Sequence, residues 1–133
     1  MDADGSHQRR LVRDRWSDQK PAWSPDGRRI LFTSFHNRDP NLLGIGNAEI
    51  LVAAADGSTV RNLTRTRFWE GEPAWAPDGK RIAFAIRRDF GPHGVFRVGV
   101  MNADGTGTRL LPPVRDPRNL GGLANSCCPA WQP

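Results

Sequence analysis

Pro21-Ala-Trp-Ser-Pro-Asp-Gly-Arg-Arg-Ile-Leu-Phe32 returns as Pro73-Ala-Trp-Ala-Pro-Asp-Gly-Lys-Arg-Ile-Ala-Phe84, and its opening letters come a third time at Pro129-Ala-Trp131. A second marker alternates with the first: Met1-Asp-Ala-Asp-Gly5, Ala53-Ala-Ala-Asp-Gly57 and Met101-Asn-Ala-Asp-Gly105. Two markers per period fix the register of a tandem repeat. Asp4 and Asp56 stand 52 residues apart, Asp56 and Asp104 48 apart, and the step from Asp-Gly to Pro-Ala-Trp is 17 residues twice and then 25. The eight extra residues of the third step fall between Pro112 and Cys128, as a loop insertion that leaves the register intact.

Within each period the apolar runs are too short for helices and are separated by turn signals, which reads as four short strands, A to D. Strand A covers 20–24 and 72–76. Pro25-Asp-Gly27 and Pro77-Asp-Gly79 turn the chain, because proline presets φ and glycine accepts positive φ. Strand B covers 29–34 and 81–86, and strand C 49–55 and 95–102. The Asp56-Gly57 and Asp104-Gly105 turns lead into strand D, 60–63 and 108–111. Ile50, Val52 and Ala54 alternate with Leu51 and Ala53, so strand C is apolar on both faces and must be covered on both sides. Stacked four-stranded antiparallel sheets do that, and a period near 50 residues suits the blade of a β-propeller. The expected fold is all-β, an incomplete propeller. Residues 1–12 end one blade, 20–64 and 72–111 form two, and 129–133 open another. Trp23, Trp75 and Trp131 are expected at the inner seams between blades, where a buried indole is worth at most about 4–6 kcal/mol.

The pattern Pro-Ala-Trp-Ser-Pro-Asp-Gly-x-x-Ile-x-Phe, followed by an apolar strand, Asp-Gly and x-Leu-Thr, resembles the WD-like propeller repeat of the TolB family. The Gly-His and Trp-Asp signatures of ordinary WD repeats are absent. The resemblance covers nearly the whole chain, twice in full and once at each broken end. It implies a binding or scaffold module in the periplasm or at the cell surface, engaging a protein or peptide through its loop face. Similar blades form the substrate-gating propellers of prolyl-oligopeptidase-like serine peptidases, so that role is the alternative. Propellers close with roughly 4 to 8 blades. The expectation is therefore a piece of a longer propeller, or copies of this chain assembled into a ring with the N-terminal strand completing a neighbour's blade.

Composition fits a globular module: 38% hydrophobic residues, 25% charged, and no apolar run long enough to span a membrane. Residues 1–12 have no apolar core of a signal peptide. The net charge of +5, from 19 Lys and Arg against 14 Asp and Glu, favours acidic partners only weakly, and no nucleic-acid partner is expected. Cys127 and Cys128 are adjacent, too close for an unstrained disulfide, and two cysteines alone make a poor metal site. His7, His36 and His93 lack metal-ligand spacing, and Asp2-x-Asp4-Gly5 lacks the later acids of a calcium loop. No nucleophile, base and orienting group can be assembled, so no catalytic, cofactor or metal residues are assigned.

One constellation stands out. Arg13-Asp-Arg-Trp-Ser-Asp18 and Arg65-Thr-Arg-Phe-Trp-Glu70 repeat an Arg-x-Arg-aromatic-x-acid pattern in the connection from strand D to the next strand A. In a propeller these connections emerge on the same face as the B-to-C loops, which bring His36 and Arg38 in one copy and Arg87, Arg88 and His93 in the next. The candidate rim is therefore Arg13, Arg15, Trp16, His36, Arg38, Arg65, Arg67, Phe68, Trp69, Arg87, Arg88 and His93. It reads as a site for an anionic peptide, carboxylate or polysaccharide, or else as repeat architecture in which Arg13 and Arg65 pair with acids such as Asp18 and Glu70.

Overall fold

The computed structural model describes residues 4–36, 47–88 and 96–112. Eight strands and no helix are found there: β1 Ser17–Trp23, β2 Arg29–His36, β3 Asn47–Ala54, β4 Val60–Asn62, β5 Trp69–Trp75, β6 Arg81–Arg87, β7 Phe96–Asn102 and β8 Arg109–Leu110. The strands β1 to β4 pair antiparallel in sequence order, and β5 to β8 repeat the arrangement. A single parallel bridge, Ala48 to Trp69, joins the two units at one end. These are two four-stranded antiparallel blades standing side by side, as expected.

The turns follow from their residues. Gly27 and Gly79 hold φ of 68° and 67°, and each Gly N–H donates to the carbonyl of Ser24 or Ala76 at 2.9 Å. The A-to-B and C-to-D turns of one blade lie together, since Ala55 N–H donates to Arg28 O and Ala103 N–H to Lys80 O.

The inner strands depart from expectation. Both begin three residues early, at Ser17 and Trp69, because each contains a register shift that the alternation of side chains does not reveal. The shifts fall between Gln19 and Ala22 and between Gly71 and Ala74, and Lys20 and Glu72 sit inside them at φ of 56° and 53°. An extra residue in one strand re-aims its side chain. Here the two bulge residues meet across the blades, with Lys20 Nζ 3.2 Å from Glu72 Oε1.

The main core lies between the blades. Leu31, Ile50 and Val52 of the first meet Trp75, Ile82, Phe84, Ile86 and Met101 of the second. Phe84 lies so close over Gly99 that a Cβ there would come within 2.5 Å of the ring. On the opposite face of the first blade, Phe32, Leu51 and Ala53 are covered by Leu11 and Val12.

The tryptophan expectation holds at one position and fails at another. Trp75 is 8% exposed, donates its indole N–H to Ala22 O at 3.3 Å and carries the Arg29 guanidinium 4.6 Å from its ring. Trp23, its counterpart in the preceding repeat, is 60% exposed. Leu11 and Val12 shield the outer part of that face but leave its inner edge open. Trp131 and the 129–133 stretch lie outside the described residues, as do Cys127 and Cys128.

Candidate functional site

The D-to-A connections are shaped by local hydrogen bonds. Asn62 Oδ1 accepts from the N–H groups of Thr64 and Arg65, both at 3.1 Å, and Thr66 Oγ1 accepts from Phe68 N–H at 3.0 Å. Arg65 takes φ of 48° in this turn. The first connection uses Asp14, whose Oδ1 accepts from Trp16 N–H at 3.0 Å. Short polar side chains that bond the backbone two residues on stabilise such turns.

On these turns the second arginine of each motif stacks on the aromatic that follows it. The Arg15 guanidinium lies 4.7 Å from the Trp16 ring and that of Arg67 5.6 Å from Phe68. In the second blade the cluster is larger. Arg88, the residue after β6, brings its guanidinium 5.2 Å from the same Phe68 ring, so one aromatic carries two cations. Beside it, Trp69 and Phe96 meet edge to face at 5.1 Å and 80°, and Arg87 stands 5.7 Å from Phe96. A guanidinium held over a ring keeps its in-plane donors available for a carboxylate. Arg65, Arg67 and Arg88 are exposed, while Phe68, Trp69 and Arg87 are half-buried.

Arg13 and Arg15 are exposed in the first connection, and Trp16 lines a groove of about 420 Å³ with Leu11, Val12, Pro21, Ile30 and Phe32. His36 ends β2. Arg38 and His93 lie outside the described residues. The residue that sequence reading missed is Phe96. Its counterpart in the first blade is Ala48, so no repeat signal pointed to it.

The acid expected beside Arg65 has a different role. Glu70 is 2% exposed and accepts a hydrogen bond from Thr66 Oγ1 at 2.9 Å. Burial pushes its carboxyl above the ordinary value, against the opposing influence of the Thr64 and Thr66 hydroxyls, while buried Glu49 pushes it up and Arg88 draws it down. Its other carboxylate oxygen has no hydrogen-bond partner among the described residues. Among the described residues, no group of three or more His, Cys, Asp or Glu comes together as a metal site.

No family model matches the chain. Individual relatives do. The Tol-Pal system protein TolB of Anaeromyxobacter dehalogenans is 36% identical over 111 residues, covering 84% of this chain and 23% of that protein. The protein of the same name from Bordetella pertussis is 32% identical over 77% of this chain and 32% of its own length. A solved structure from Agrobacterium tumefaciens, assigned to TolB, superposes with a TM-score of 0.65 at 29% identity, covering 83% of this chain and 38% of the other. The chain is TolB-like. It spans about a quarter to a third of the length of these curated TolB relatives. The TolB likeness rests on sequence and on the superposed blades together.

Proposed function

We propose that this TolB-like segment contributes a protein-binding face to a propeller of the Tol-Pal system in the periplasm, without catalysis of its own, and that its occupant is an acidic segment of a protein partner. The observation that carries this reading is Phe68 with Arg67 and Arg88 both over its ring, adjoining Trp69, Phe96 and Arg87. Clustered arginines beside half-buried aromatics favour carboxylates that approach with an apolar body, as an acidic peptide does. The names of the relatives support a Tol-Pal binding role over the gating propeller of a peptidase. Among the described residues, no helix is long and apolar enough to cross a membrane.

The test is fluorescence anisotropy with a labelled glutamate-rich peptide carrying one Leu and one Phe, against a glutamine-substituted control. The acidic peptide should bind and the control should not, with affinity falling as salt rises. Arg67→Ala with Arg88→Ala should weaken capture about tenfold. Equal binding by the folded double variant would refute the assignment.

A further inference from the structure

The cation and aromatic cluster is tied to the seam between the blades by a short chain of hydrogen bonds. Phe68, whose ring carries Arg67 and Arg88, donates its N–H to Thr66 Oγ1 at 3.0 Å, and that hydroxyl donates to Glu70 Oε1 at 2.9 Å. Glu70 stands opposite Ile86 in the β5–β6 register, two residues before Arg88. Cross-strand partners share a face, and Ile86 belongs to the core between the blades, so the carboxyl of Glu70 is buried in that seam. Its Oε2 has no hydrogen-bond partner among the described residues. A buried carboxylate with an unpaired oxygen is costly as an anion, and a proton removes that cost. The turn that presents Phe68 and a buried acid suited to proton uptake thus form one hydrogen-bonded unit.

The surroundings of Glu70 pull it both ways. Burial opposes the anion first, and Glu49 of β3 adds to that; the Thr64 and Thr66 hydroxyls and the Arg88 charge favour it. On the other elements around it, Lys20 of β1 is engaged by Glu72 at 3.2 Å, and β2 presents Thr33, whose Cγ2 would lie 3.3 Å from a Cβ on Gly71. On its own connection Arg67 is turned over Phe68. Arg88 is therefore shared: it is exposed on the rim, lies over Phe68 and acts on the buried acid. A carboxylate docked on Arg88 would offset its pull and bring a further negative charge near. Both changes favour protonated Glu70.

We propose, resting on the acidic-partner reading above, that capture of a partner carboxylate by Arg88 is coupled to proton uptake at Glu70. The coupling is reciprocal, so protonating Glu70 tightens capture by the factor by which capture favours protonation. Glu70 acts through Arg88 and the Phe68 turn, without touching the partner.

The chain has three glutamates, Glu49, Glu70 and Glu72, so ¹³Cδ-glutamate labelling gives one signal for each, with Glu70 assigned by its loss in Glu70→Gln. Titrating the labelled parent with and without the unlabelled glutamate-rich peptide reads the proton directly. The Glu70 midpoint should move up when the peptide is bound, and Arg88→Ala should move it up with no peptide present. By anisotropy, capture by the parent should tighten about fivefold from about pH 7.5 to about pH 5.5, where the peptide's own carboxylates stay ionised, and capture by Glu70→Gln should not. A peptide that fails to bind would sink the acidic-partner reading and the coupling with it. A peptide that binds while the Glu70 midpoint stays in place would overturn the coupling alone, as would a midpoint that Arg88→Ala leaves unmoved.

Discussion

Trp23 and Trp75 occupy the same place in the same twelve-residue motif, yet one is 60% exposed and the other 8%. Their own strands are alike: Trp23 pairs with Ile30, and Trp75 with Ile82. What differs is the neighbour. A full blade stands against Trp75 and offers it the Ala22 carbonyl, the Arg29 guanidinium and the apolar side chains of β2 and β3. Among the described residues, only the segment through Leu11 and Val12 packs against the face of the first blade. The contrast grades across the sheet, since Phe32 is buried nearly as well as Phe84 while Ile30 is half-buried and Ile82 fully buried. A repeat motif therefore encodes a surface to be covered, and the adjoining repeat does the covering.

The largest effect should come from deleting the two indoles separately. Trp75→Ala should cost about 3–5 kcal/mol, the range for emptying a large aromatic site, whereas Trp23→Ala should stay within about 1 kcal/mol. Urea unfolding of the two variants measures the gap; equal losses would mean that the seam contributes nothing.

Gly99→Ala should follow, at about 1–3 kcal/mol, because the new methyl meets the fully buried Phe84 ring. Its counterpart in the first blade is Leu51, so this tight contact is peculiar to the second blade. Thermal denaturation reads the loss.

The Asp-Gly turns provide a smaller contrast. Gly5→Ala and Gly105→Ala both place a side chain at positive φ, a strain of about 1–2 kcal/mol, but only Gly105 also abuts a neighbouring backbone oxygen. Gly105→Ala should therefore be the more destabilising of the two in the same urea assay.

How far the chain was legible follows from where repetition operates. Strand order and turns could be read because the Pro-Asp-Gly and Asp-Gly markers recur at nearly constant spacing, and the pairing of Arg67 with Phe68 because Arg15-Trp16 repeats the same cation and aromatic pattern. The bulges at Lys20 and Glu72 could not, since neither is a glycine and the surrounding segments hold too few apolar residues to show a change of phase in the alternation. Phe96 escaped because its counterpart in the first blade is Ala48 and carries no aromatic, and the exposure of Trp23 because local sequence does not specify a neighbour. Glu70 was read as a surface partner for Arg65. The structure instead buries it among threonine hydroxyls, a role its spacing from Arg65 does not reveal.

That buried acid supplies the subtlest test. With its folded-state value raised above that of an ordinary glutamate by burial, Glu70 adds stability at low pH. That contribution is lost as pH rises through the folded value. Glu70→Gln, which keeps an acceptor for Thr66, should equal or exceed the parent in stability at pH 7, with any advantage disappearing towards pH 4. Urea midpoints at the two pH values decide it, and a variant weaker at pH 7 than at pH 4 relative to the parent would contradict the burial argument.

The blade seam itself is most directly probed by 5-fluorotryptophan labelling, with the Trp23 and Trp75 resonances assigned from single Trp→Phe variants. The solvent isotope shift of each ¹⁹F signal between H₂O and D₂O reports whether water reaches the indole. A large shift for Trp23 and almost none for Trp75 is the predicted result. Equal, large shifts at both positions would show that the two blades do not stand against each other and would contradict the account.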